Sequence, residues 1–234
     1  MLLLLQLTDF TIRGVEMEEN KQPAGREDFL KEVRKRVDDS QNWFQEVAIT
    51  KVSGECPYGH REGEIYKISD IKCGGLCGSL YRSIHDAVLV THYDGIVPWE
   101  KNEGVFSGAC PEMGKVKVSA KKVRKENLSP SIVKPSYRDM TGKGFSYLDK
   151  YKIFVEINDI AINCGWGHKK GQRIEIDPFN AWKVCSRLYA NAYYSMIVIL
   201  SDKKLHWQFE DDKVQMTCPD TYNITTFTLV REKR

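Results

Sequence analysis

The sequence predicts an α+β fold in which two tandem β-β-α-β-β modules form an intramolecular pseudo-dimer, with an N-terminal helix before them. The first observation is an internal repeat. Sliding the sequence along itself until Cys56 meets Cys164 also superposes Cys77 on Cys185 and Cys110 on Cys218, with no gap between them. The second is that both copies have the same order of strand-like and helix-like segments. The 234 residues are 41% hydrophobic, which can supply a core for each copy.

A polar and charged extension, assigned to residues 1–44, precedes the first copy. In the segment REDFLKEVRKRVDDSQNW, Leu30, Val33 and Val37 recur at helical spacing. This predicts one amphipathic helix that docks on the first module. The opening MLLLL lacks a basic segment and is shorter than the roughly 7–15 apolar residues of an export signal. We therefore expect a cytoplasmic protein.

The two modules are assigned to residues 45–123 and 152–234, and each begins with two strands. EVAITKV and FVEINDIAI alternate apolar and polar residues, and the short strands EIYKI and RIEI follow a glycine turn. A helix is predicted from Cys77 and from Cys185. VFSGAC and KVQMTC then predict strands that end in cysteine, with KVKVSA and NITTFTL as their hairpin partners. The intervening residues 124–151 have the proline, glycine and serine content of a connector.

Composition restricts the partners. The 35 basic and 32 acidic residues give a net charge of +3, far below the excess of a dedicated nucleic-acid-binding protein. No segment approaches the roughly 18 apolar residues of a membrane span. We expect no nucleic-acid partner and no membrane, and we expect the two modules to pair with each other.

The repeated cysteines fall at the ends of predicted elements, and a histidine follows the first of them at the same spacing in both copies. Thiols in a reducing cytosol serve metals or chemistry more readily than structural disulfides. Three thiolates and an imidazole complete a tetrahedral zinc shell, and three thiolates can also hold an iron–sulfur cluster. The sequence therefore predicts a zinc or iron–sulfur site in each module. The ligands would be Cys56, His60, Cys77 and Cys110 in the first, and Cys164, His168, Cys185 and Cys218 in the second.

Three alternatives to metal binding stay open. Cys77 and Cys185 would be catalytic nucleophiles of an oxidoreductase or transferase if the helix N-terminus lowers their pKa and His60 acts as a base. The cysteines could instead be small buried hydrophobic residues. The chain could also be a non-catalytic accessory protein. Cys73 has Ala181 as its counterpart, which is typical of a tolerated loop cysteine but also compatible with a resolving thiol or an extra ligand.

The remaining tryptophans and histidines are expected in the environment that is usual for their residue type. Trp99 and Trp207 occupy equivalent positions and are expected in the core. His85, His92 and His206 have no histidine counterpart in the other copy and are expected on the surface.

The motifs CPYGHREGEIYKI, GLCGSLYRSIHDAVLV and PWEKNEGVFSGACPEMGKVKVSA resemble a family of small uncharacterised microbial proteins with three cysteines, each about the length of one copy. The resemblance covers residues 46–123 well and residues 154–231 more weakly. It implies that the module can exist as a single copy, and it implies no activity. The second copy changes GLCGSLY to KVCSRLY but keeps its cysteines and histidine, which favours a role for the thiols.

Overall fold

The computed structural model describes residues 25–130, 133–220 and 223–234. It divides into a unit that ends at Asp38 and a larger unit from Asp39 to Arg234. Helix α1 (Arg26–Ser40) lies where the sequence predicts a helix, with Glu27 and Asp28 in its first turn, where the helix dipole favours acidic residues. The side chains of its predicted apolar face, and residues 1–24, lie outside the described part. The docking of this helix therefore stays a prediction.

The large unit contains two four-stranded antiparallel sheets, which confirms the α+β class. The N-terminal half (residues 43–124) has the sheet order β2-β1-β4-β3. Its elements are β1 (Trp43–Val52), β2 (Ile65–Ile68), α2 (Gly78–His92), β3 (Val105–Ala109) and β4 (Val116–Arg124). The C-terminal half (residues 151–233) has the order β6-β5-β8-β7. Its elements are β5 (Tyr151–Ile160), β6 (Arg173–Ile176), α3 (Ser186–Leu200), β7 (Lys213–Thr217) and β8 (Thr225–Lys233).

Residue pattern explains why these segments become strands and helices. In β4, buried Val116, Val118 and Ala120 alternate with exposed residues, because successive strand side chains point to opposite faces. In α2, Leu80 and Ile84 are buried one turn apart, on the face that packs against the core. Each half therefore buries one helix face against its sheet.

The spacing between equivalent elements changes once along the chain. Strands β5, β6 and β7 and helix α3 each begin at the offset that superposes the cysteines, but β8 begins at Thr225, one position later than that offset predicts from Val116. The hydrogen bonds agree, since Cys110 N–H donates to Val116 O and Cys218 N–H donates to Thr225 O. The turn between β7 and β8 is thus one residue longer, so the repeats match without a gap up to the last cysteine and need one gap after it.

The two halves contact each other through their helices and through a matched pair of backbone hydrogen bonds. Gly78 N–H donates to Phe179 O at 2.7 Å, and Ser186 N–H donates to Ile71 O at 3.0 Å. The two donors occupy equivalent repeat positions, and so do the two acceptors, so the two bonds are reciprocal. A Cβ at Gly78 would lie 2.1 Å from the Tyr189 hydroxyl oxygen, so glycine permits this close approach.

One ion pair between the halves has no equivalent at the matching repeat positions. Arg187 of α3 donates to the carboxylate of Asp70 and to the hydroxyl of Tyr93. The Asp70 side chain is 7% exposed and that of Arg187 25%. The counterparts of Asp70 and Arg187 are Pro178 and Ser79, which cannot form an ion pair. The contact between the halves is therefore chemically asymmetric.

The connector between the halves contains two short 3-10 helices in its described part, Lys125–Asn127 and Ser146–Asp149. Its Val133 N–H donates to Ile65 O at 3.2 Å, beside the edge strand β2. The guanidinium of Arg138 stacks on the ring of Tyr58 at 4.4 Å. Asn180 donates to Arg138 O at 2.8 Å, so the connector is tied to both halves.

Among residues 25–130, 133–220 and 223–234, no helix combines the length and apolar character that crossing a bilayer requires.

Candidate functional site

The three repeated cysteines of the N-terminal half lie at neighbouring element ends. Cys56 is in the loop after β1, Cys77 immediately precedes α2, and Cys110 follows β3. Ser53 N–H donates to Lys115 O at 2.8 Å, which joins the loop after β1 to the hairpin after Cys110. Burial is the main cause of the raised pKa of Cys77, and Cys56 and Cys110 add to it. The three thiols therefore lie close enough to influence one another's ionisation.

The C-terminal half repeats this arrangement. Cys164 follows β5, Cys185 precedes α3 and Cys218 follows β7. Cys218 and Cys164 add to the raised pKa of Cys185, of which burial is the main cause. All six thiols are free, and those of Cys77 and Cys185 are the buried members of their groups.

Burial keeps the central thiol of each group protonated. Cys77 and Cys185 are each 6% exposed, and burial raises the pKa of both to about 12. The neighbouring cysteines raise it further, while the backbone amides of Ser79 and Leu80 act in the opposite direction on Cys77. A thiol with this pKa supplies almost no thiolate at neutral pH, so the environment does not favour Cys77 and Cys185 as nucleophiles.

His60 is held beside Cys77 but uses both ring nitrogens within the protein. Its Nε2 accepts the backbone N–H of Cys77 at 3.3 Å. Its Nδ1 lies 2.8 Å from the Tyr66 hydroxyl and 3.4 Å from the Glu64 carboxylate. An accepting Nε2 carries no proton, so the ring is neutral with its proton on Nδ1. Burial agrees, since it lowers the pKa of His60 to about 4.

His168 occupies the same position in the C-terminal half. Its Nε2 accepts the backbone N–H of Cys185 at 3.1 Å, and its Nδ1 lies 3.2 Å from Gln172 Oε1. The residue four positions after the histidine has changed between the halves, from Glu64 to Gln172. The bond to the cysteine amide is the shared feature. Each histidine therefore positions the backbone at the helix start, where amide groups lack helical partners.

The predicted metal shells are not closed groups of ligands in this structure. In the described part of the chain, no three or more His, Cys, Asp or Glu side chains are arranged to hold a metal ion. The thiols of each half are neighbours, and zinc or iron–sulfur binding stays a prediction. The seventh cysteine, Cys73, is 1% exposed and packs in the hydrophobic core.

A tyrosine of the opposite half lies beside the start of α2, which sequence reasoning missed. The Tyr189 hydroxyl of α3 is close to Gly78, the residue after Cys77, since a Cβ there would lie 2.1 Å from it. Tyr81 of α2 occupies the repeat position equivalent to Tyr189. Both tyrosine rings are buried, and the hydroxyls of Tyr81 and Tyr189 donate at 2.9 Å to the backbone carbonyls of Ser69 and Asp177. The repeat spacing could not reveal this contact, because it depends on how the helices pack.

The sequence predicts the wrong burial for two tryptophans and two histidines. Trp99 and Trp207 are 61% and 50% exposed, instead of lying in the core. Trp99 donates its indole N–H to Ser107 O at 3.1 Å. His85 and His92 are buried instead of exposed, because both lie on the packed part of α2. His206 is exposed, as expected.

No protein-family model, curated protein or solved structure matches this chain significantly. The resemblance to a family of small three-cysteine proteins therefore stays a prediction, and function has to be argued from the geometry of the thiols.

Proposed function

We propose that the chain is a tandem pair of β-β-α-β-β modules, packed as an intramolecular pseudo-dimer, in which each module binds one thiophilic metal ion of the zinc class. The thiol ligands are Cys56, Cys77 and Cys110 in the N-terminal half, and Cys164, Cys185 and Cys218 in the C-terminal half. The observation that carries the proposal is that, in both halves, the same two outer cysteines lie close enough to the central one to raise its pKa. Each group lies beside the same histidine-to-cysteine backbone bond.

The ionisation of the thiols supports the binding of a metal cation. Three neighbouring thiols disfavour one another's ionisation, which contributes to the raised pKa of Cys77. A divalent cation among them reverses this effect, because it binds thiolates and releases their protons. The energy of metal–thiolate bonds then offsets the burial of negative charge.

Backbone amides near the sulfur atoms favour the thiolate state. Glu112 N–H donates to Cys110 Sγ at 3.4 Å. The amides of Arg187 and Leu188 lower the pKa of Cys185, as those of Ser79 and Leu80 do for Cys77, against the larger effect of burial. Such donors stabilise metal-bound sulfur as an outer layer of hydrogen bonds.

His60 and His168 act in this proposal as positioning residues that fix the backbone of the central cysteine. The thiols have to draw together when metal binds. Cys56 and Cys110 lie in loops and are partly exposed, so their side chains can rotate at low cost.

The test is a cobalt(II) or cadmium(II) titration of the reduced, chelator-treated full chain under anaerobic conditions. We expect two equivalents of metal per chain, with the ultraviolet absorption of metal–thiolate bonds. Cys110→Ser should remove one equivalent. Cys73→Ala is the matched control, since Ala181 stands at the equivalent position, and it should retain both.

Absence of stoichiometric binding by the folded wild-type chain would show that the proposal is wrong. Reconstitution with iron and sulfide provides the comparison with a cluster. Visible charge-transfer absorption at two centres per chain, in place of cobalt binding, would assign the thiols to iron–sulfur chemistry instead.

A further inference from the structure

Strand β7 is an outer strand of its sheet, so one side of its backbone faces away from β8. At the two ends of the strand, Arg231 N–H donates to Asp212 O and Cys218 N–H donates to Thr225 O. Bonded pairs alternate along an antiparallel ladder, so every second residue between Asp212 and Cys218 turns its N–H and carbonyl away from β8. Gln215, in the middle of β7, is one of these residues.

The matching strand of the N-terminal half, β3, has side chains bonded to the same backbone groups. Ser107 of β3 is the counterpart of Gln215. Its backbone N–H donates to the Glu100 carboxylate at 2.8 Å, and its carbonyl accepts the indole N–H of Trp99 at 3.1 Å. The loop before β3 therefore closes the edge of this sheet.

The C-terminal half has lost the carboxylate that closes the edge. Gln208 stands at the position of Glu100. Its side-chain amide donates to Glu210 O and to Asp211 O, each at 2.7 Å. Gln208 is thus bonded within its own loop, and it does not bond to β7.

The tryptophan of this loop leaves the strand edge as well. Trp207, the counterpart of Trp99, packs its ring against His206, with ring centroids 4.5 Å apart. In the part of the chain that the structure describes, neither the backbone N–H nor the carbonyl of Gln215 has a hydrogen-bond partner. Trp207 and Phe209 are both exposed close to the start of β7 in sequence. An exposed strand edge of this kind is a template for a further strand.

The residues of β7 fit a second copy of the same strand. In an antiparallel pair centred on Gln215, this residue would exchange two backbone hydrogen bonds with Gln215 of the second copy. The same register places Lys213 opposite Thr217, so the charged residue of the strand does not face its own copy. Like charges directly opposite each other would destabilise the pair, and this register avoids them.

We propose that the chain forms a homodimer in which β7 pairs antiparallel with β7 of a second copy, joining two four-stranded sheets into one continuous sheet. The exposed rings of Trp207 and Phe209 add apolar surface beside the joined strands. The N-terminal half does not take part, because Glu100 and Trp99 close the edge of β3. The inference goes beyond the proposed function and does not depend on metal binding.

The test is sedimentation velocity of the reduced full chain over a range of concentrations, together with hydrogen–deuterium exchange of residues 213–217. We expect single chains at low concentration and pairs at high concentration, with exchange at β7 slowing as pairs form. Gln215→Lys places two lysines opposite each other and should weaken dimerisation about tenfold or more. Gln215→Ser copies the residue of β3, keeps the backbone groups free and should dimerise like wild type.

Each other outcome overturns the inference. A chain that stays monomeric up to about 1 mM has no such interface. A dimer that Gln215→Lys does not weaken, with exchange at β7 independent of concentration, is formed through another surface. Protection of β7 at every concentration would mean that a segment of the same chain covers the edge. Exchange of the wild-type protein decides the question even if Gln215→Lys does not fold.

Discussion

Acidification is expected to destabilise the fold through His60. In the unfolded chain this histidine has an ordinary pKa of 6.5, whereas burial lowers the pKa in the folded state to about 4. Between these values the unfolded chain binds a proton and the folded chain does not. His60 therefore costs no stability above pH 6.5, and stability is lost progressively as the pH falls from there toward 4.

The size of the effect follows from the shift. Each pH unit between the two pKa values changes the free energy of unfolding by about 1.4 kcal/mol. Acidification from pH 7.5 to pH 5 covers about 1.5 units of that interval, so His60 alone should cost about 2 kcal/mol. His85, His92 and His168 have pKa values lowered by burial as well and add to the loss with the same sign.

The contribution of His60 is isolated with His60→Gln. A glutamine oxygen can accept the Cys77 N–H, and its amide can donate to Glu64, but it does not titrate. Urea unfolding of metal-free, reduced protein should show that His60→Gln loses about 2 kcal/mol less than wild type between pH 7.5 and pH 5. Exposed His206→Gln should lose as much as wild type. Equal losses for His60→Gln and wild type would refute this account of the buried ring.

Three further changes test the contact between the halves and the state of the thiols. Arg187→Ser removes the charged partner of the buried Asp70 carboxylate and leaves it only His92 Nε2, 3.9 Å away, on a ring whose pKa is lowered by burial. This should lower the free energy of unfolding by about 3 kcal/mol, whereas exposed Arg173→Ser should cost less than about 1 kcal/mol. Similar losses in urea unfolding would contradict the burial argument. Gly78→Ala places a Cβ 2.1 Å from the Tyr189 hydroxyl and should cost about 1–3 kcal/mol by overpacking; unchanged stability would show that this contact relaxes freely. Metal-free Cys77, with its pKa raised by burial from 9.0 to about 12, should be alkylated at neutral pH about a thousandfold more slowly than an ordinary thiol; rapid alkylation followed by mass spectrometry would restore the nucleophile alternative.

Much of the secondary structure could be predicted from local patterns of apolar and polar residues. Alternation in β4 and helical spacing in α2 are properties of neighbouring residues, so they can be read without knowing the packing. The extra residue between β7 and β8 could not be found by comparing the two copies, because a tight turn has few side chains that are the same in both. It is visible only from the backbone hydrogen bond that Cys218 N–H donates to Thr225 O.

The thiol groups were predicted in part for the same reason. Cysteines at the ends of strands and helices become neighbours when those ends lie at the same edge of the packed elements, and Cys77 and Cys185 lie immediately before α2 and α3 as expected. The role of His60 could not be predicted, because a ligand and a backbone acceptor have the same sequence spacing. Only its 3.3 Å contact with the Cys77 amide distinguishes them.

The sequence by itself determined the class of fold, the repeat and the three thiols of each half, since these follow from periodicity and from matching positions. The packing of α2 against α3 decided the rest. It buried His85, brought the Tyr193 hydroxyl to Ser79 and paired Arg187 with Asp70. Contacts across an interface depend on how two surfaces dock, and neither surface alone encodes that in the spacing of its residues.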